Sequence, residues 1–69
     1  MWNEADLKDM MLVEMPFGKY KGRLIYQLPM YYLEWLNRKG MPKGKLGMQL
    51  STIYEIKLNG LDEIFLKLK

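Results

Sequence analysis

The sequence predicts a small α+β domain: an N-terminal helix, a β-hairpin, and two to three helices packed on one face of it. Three observations lead there. Two short stretches of partial apolar alternation, residues 12–17 and 23–28, flank a loop bracketed by Gly18 and Gly22, the pattern of strand, turn and strand. Residues 30–39 and 46–58 carry apolar side chains at helical spacing and meet stop signals at Gly40 and at Asn59-Gly60. Finally, 69 residues make one domain spanning 1–69. A chain this short buries only about 60% of its unfolded surface, and a lone hairpin is barely stable in water, so helices must cover it.

The first helix has a good start signal. Asn3 suits the N-cap, Glu4 and Asp6 complement the dipole, and Trp2 and Leu7 have the spacing of a hydrophobic staple. Leu7, Met10 and Met11 form its core stripe, and the helix should fade near Leu12. In the first predicted strand Val13, Met15 and Phe17 share one face, while Pro16, which cannot donate to a ladder, places this end on a sheet edge. In the second, Leu24, Tyr26 and Leu28 face one way. The five residues from Gly18 to Gly22 have the length of a hairpin loop.

Pro29 opens the next helix, with Tyr32, Leu33 and Leu36 as core stripe and Tyr31 and Trp35, four apart, as a second aromatic pair. Arg38, Lys39 and Gly40 suit its C-terminus. Residues 40–45 read as a loop. The longer helix over residues 46–58 places Leu46, Leu50, Ile53, Tyr54 and Leu58 on one side, with Leu61 just beyond. The tail, residues 61–69, fits a helical turn through Ile64, Phe65 and Leu68 and also an alternation through Ile64, Leu66 and Leu68; helix is the expectation.

Composition narrows the chemistry. The chain has no Cys and no His, which removes disulfides, thiolate catalysis and nearly every zinc site. Stability must come from dense packing or self-association, and 49% of the residues are apolar, among them two Trp, five Tyr, two Phe and seven Met. No apolar run approaches the roughly 18 residues of a membrane span, so no membrane partner is expected. The acids at Glu4, Asp6, Asp9 and Glu14 are wrong for a signal peptide, and a cytoplasmic location is the expectation.

Charge is unevenly placed. Residues 1–18 have a net of −3, and residues 19–45 have a net of +6, from Lys19, Lys21, Arg23, Arg38, Lys39, Lys43 and Lys45 against Glu34. Such asymmetry focuses a positive potential able to hold a polyanion, although a solvated surface fits it as well. Two places could hold an anion. In the first, Lys19, Tyr20, Lys21 and Arg23 gather three cations around a ring that could stack on an unpaired base. In the second, Lys43 and Lys45 stand where the later helix offers free amides. The glycines also fit a loop built only to turn the chain.

Phosphate and nucleic-acid motifs otherwise fail. The stretch from Gly40 to Lys45 has three residues between its glycines and no hydroxyl after the lysine, where a P-loop needs four and a Ser or Thr. Gly44-Lys-Leu-Gly47 has the spacing of a KH clamp without the strands of a KH sheet, and the aromatic RRM motif is missing. Ser51 and Thr52 lie within a predicted helix with no activating base, and the acids do not form the convergent set that two-metal chemistry needs. An enzyme is not expected, nor is a cofactor.

Met-Pro-Phe-Gly-Lys-Tyr-Lys-Gly (15–22), then Leu-Pro with Tyr-Leu-Glu-Trp-Leu (32–36), resembles a small bacterial family of unknown function labelled as a quorum-sensing-regulated virulence factor. Pro-Lys-Gly-Lys-Leu-Gly (42–47) and Tyr-Glu-Ile-Lys-Leu-Asn-Gly-Leu (54–61) extend the match over nearly the whole chain. The label implies a regulatory context and no chemistry. The first half also resembles a small accessory domain of exodeoxyribonuclease X-like exonucleases. That likeness marks Gly18, Lys19, Lys21 and Gly22 as a shared loop and Tyr32, Leu33, Trp35 and Leu36 as a shared helix, and it implies a role near nucleic acid.

The expected function is therefore a non-enzymatic accessory module contacting nucleic acid, or another phosphate-bearing partner, through Lys19, Tyr20, Lys21, Arg23, Lys43 and Lys45. The alternative is a protein-interaction module or homodimer using the aromatic helix face of Tyr31 and Trp35.

Overall fold

The computed structural model describes residues 3–68. In chain order these form α1 (Glu4–Met10), a 3-10 turn (Ile25–Gln27), α2 (Met30–Lys39), α3 (Gly44–Leu58) and α4 (Glu63–Lys67). Among the described residues no sheet exists; strand pairing is reduced to one isolated antiparallel bridge, Glu14 with Leu24. The fold is all-helical, which overturns the α+β expectation and its β-hairpin.

Local turns take the hydrogen bonds that a hairpin would need. Two ladder bonds flank the bridge: Met15 N–H to Arg23 C=O at 2.7 Å, and Ile25 N–H to Val13 C=O at 2.9 Å. Their reciprocal partners are diverted. Val13 N–H donates to Met10 C=O at the end of α1, and Arg23 N–H donates to Tyr20 C=O within the loop. Met15 C=O accepts instead from Gly22 N–H at 2.8 Å. Pro16 follows and has no N–H to donate on the other edge. On the other side Gln27 and Leu28 donate to Leu24 and Ile25, winding the predicted second strand into the 3-10 turn. Ile25 and Leu28, three apart, are buried there, and Leu24 and Tyr26 are only partly so. Of the face assigned to the first strand, Met15 is buried, but Phe17 is 45% exposed.

The helices follow their sequence signals more closely. The Asn3 side-chain oxygen accepts from Asp6 N–H at 2.8 Å, capping α1; the Trp2 half of the expected staple lies outside the described residues. Pro29 precedes α2 in extended conformation, and Tyr32, Leu33 and Leu36 are its buried residues. At the end of α3, Leu61 N–H reaches Ile56 C=O and Gly60 N–H reaches Lys57 C=O, the paired bonds of a Schellman stop. The buried stripe of α3 is Gly47, Leu50, Ile53 and Ile56. It is rotated from the expected one, because Ile56 points inward while Leu58 is 59% exposed. The tail is helical over α4, with Phe65 buried.

The core is one cluster centred on Met15, Ile25, Leu28, Leu33, Leu50, Ile53 and Ile56, all fully buried. α3 packs against α2 and the 3-10 turn, so α2 has one face held by the core and the opposite face available. Among the described residues no helix is long and apolar enough to cross a membrane.

Candidate functional site

The free face of α2 meets the glycine-bounded loop. Tyr31, Trp35 and Arg38 recur at spacings of four and three, which sets them along one side of the helix. Gly18 brings the loop against that helix. Its φ of +78° is open to glycine at little cost, and a Cβ there would meet the Tyr32 hydroxyl at 3.0 Å. Gly22, φ +90°, closes the loop at its other end. Within it, Lys21 N–H donates to Gly18 C=O at 3.2 Å.

Aromatic contacts lock loop and helix together. The Tyr20 ring stands edge-on to Tyr32, centroids 4.7 Å apart, and Tyr32 stacks with Trp35 at 5.6 Å. The Tyr20 and Tyr31 hydroxyls are hydrogen-bonded. That bond is the main cause raising the pKa of Tyr20 and lowering that of Tyr31. The Lys19 ammonium adds to the lowering at Tyr31.

Cations lie over these rings. Lys19 Nζ is 5.6 Å from the Tyr20 centroid and 5.8 Å from that of Tyr31, and Lys39 Nζ is 4.7 Å from that of Trp35, all within cation–π range. Phe17, Gly18, Lys19, Tyr31, Tyr32, Trp35 and Arg38 line an open groove of about 540 Å³. Its rings remain accessible: Tyr31 is 59% and Trp35 44% exposed.

The residues singled out in the sequence divide. Lys19 lines the groove, and Tyr20 supports it through Tyr32. Lys21 and Arg23 are exposed on the same loop, outside the lining. Lys43 is exposed at the start of α3. Lys45 lines a different depression, with Asp6 and Asp9 of α1, where acids offset its charge. Phe17 and Arg38 line the groove and Lys39 lies over the Trp35 ring beside it, and none of the three was among the expected contacts. Phe17 had been given to a core-facing strand, and Arg38 and Lys39 to the helix dipole. The four-residue step from Trp35 to Lys39 was a signal that could have found one of them.

The model of the family described as "Putative quorum-sensing-regulated virulence factor" matches residues 3–68. The chain belongs to that family. The matched span takes in the whole groove, from Phe17 to Arg38. Among relatives, the protein named "Uncharacterized protein YpeB" from Escherichia coli strain K12 is 48% identical over 56 residues, covering 80% of this chain and 78% of the relative. The protein of the same name from Escherichia coli O157:H7 matches with the same figures. No solved structure matches.

Proposed function

We propose that this family member is a non-enzymatic, cytoplasmic accessory module that contacts nucleic acid, or another phosphate-bearing partner, through the basic loop and the groove beside it. The observation that carries this reading is the coincidence of charge and aromatic surface: Lys19 and Lys39 sit over exposed rings, with Arg38 in the same groove. Cations neutralise phosphate and release counterions, while rings offer apolar area. The lack of His and Cys supports a binding role over catalysis. Lys43 and Lys45, being outside the groove, are assigned at most a long-range electrostatic part.

Fluorescence anisotropy of labelled DNA and RNA at low and moderate salt tests it. Micromolar or tighter binding that weakens steeply with salt is expected. Lys19→Glu combined with Lys21→Glu should weaken it across all sequences and flatten the log–log salt slope by about two. No binding at low salt, or an unchanged affinity in the double variant, overturns the reading.

The exposed rings of Phe17, Tyr31 and Trp35 favour one second reading, in which the groove is covered by a protein or a second copy. Light scattering at high micromolar concentration decides the homodimer form, and a monomeric mass removes it.

A further inference from the structure

We infer that the groove takes an unpaired nucleobase, so that the partner is single-stranded nucleic acid and not duplex; this rests on the phosphate-contacting reading above and sharpens it. Phosphate contact alone asks only for exposed cations, which Lys21, Arg23 and Lys43 already supply. It leaves the aromatic walls without a purpose. Phe17, Tyr31 and Trp35 bring three partly exposed rings to one open groove whose volume of about 540 Å³ suits a base with its sugar. Bases inside a duplex are stacked on one another and cannot reach such walls; an unpaired base can.

The cations are placed to work with a stacked base. Lys19 and Lys39 stand over the Tyr31 and Trp35 rings, each on a flexible four-carbon stem. Stacking of a base outweighs a cation–π contact at a solvent-exposed ring. An arriving base therefore takes the ring face, and the displaced ammonium moves to the phosphate of the same nucleotide. Tyr32, fixed between Tyr20 and Trp35, keeps the Trp35 plane oriented. Ring faces dominate the groove, and every base has a π-face, so sequence preference should be weak.

The test compares a short labelled oligothymidylate, its ribose counterpart oligouridylate, a hairpin duplex, and an abasic strand with the same number of phosphates. Either pyrimidine strand should bind about tenfold more tightly than the duplex or the abasic strand. In a Trp2→Phe variant, where Trp35 is the remaining tryptophan, the two strands should quench its emission and the abasic strand should not. Trp35→Ala, checked for folding by circular dichroism, should lose the single-strand advantage, and Trp35→Phe should keep most of it. Equal binding of all four probes without quenching overturns the base site and leaves the charge-based reading standing. If none of the four binds, both fall.

Discussion

Lys57 shows how a single side chain ties this small core together. Its Nζ donates to Leu28 C=O at 2.7 Å, joining α3 to the residue that ends the 3-10 turn. Partial burial holds its pKa below the usual lysine value, with the Asp62 charge pulling the other way. Tyr26 and Glu63 share the same depression. Between the lowered folded value and the ordinary one, the unfolded chain keeps this proton more often than the folded chain. Lys57 therefore contributes a rise in stability as pH climbs through that alkaline window, and below the window its charged form carries the full desolvation penalty. Urea titrations of the native chain and Lys57→Met across that range should show the native-minus-variant difference growing with pH. A constant difference would remove the burial argument. The groove lysines sit instead at an open surface, where their charge serves a partner and not the core.

At the scale of elements, the approach of α3 to the loop before it depends on Gly47. A Cβ at this position would lie 1.6 Å from the Pro42 carbonyl oxygen, which is backbone and cannot swing aside. Gly47→Ala should therefore cost at least about 1–3 kcal/mol of stability, read as a lower urea midpoint. Met48→Ala, one residue on but 72% exposed, should stay within about 0.5 kcal/mol. The helices were legible in the sequence because their signals are local: a cap at Asn3, a proline before α2, and a stop at Asn59-Gly60. The hairpin was not. Six residues with Leu24, Ile25, Tyr26 and Leu28 carry both a two-residue and a three-residue apolar spacing, and competition for the N–H groups of Val13 and Arg23 decided between them. Phe17 was misplaced for the same reason, since a residue read as a strand's inward face is instead the outer wall of the groove.

Across the whole molecule the charge asymmetry acquires a geometry. Asp6 and Asp9 of α1 share one depression with Lys45, while Lys19 and Arg38 line the aromatic groove and Lys39 lies over its Trp35 ring, so the net +3 understates the potential at that groove. The loop and the aromatic stripe were each legible as candidate contacts. Their union was not, because it depends on Gly18 lying under the Tyr32 hydroxyl, a tertiary fact that no spacing encodes. The lone Glu14–Leu24 bridge has a further consequence, for kinetics. Among the described residues, the backbone hydrogen bonds that bridge separate segments are those around this bridge, and they reach no further than from Val13 to Ile25. Most contacts of this helical fold are between residues near in sequence, although the core also joins distant segments, and as a helical topology it should refold on the order of microseconds to milliseconds. A temperature jump followed by tryptophan emission would read this rate, and a main phase on the order of seconds, the range of β-rich topologies, would contradict it. A module that refolds this quickly would be exposed to proteolysis only briefly at each opening.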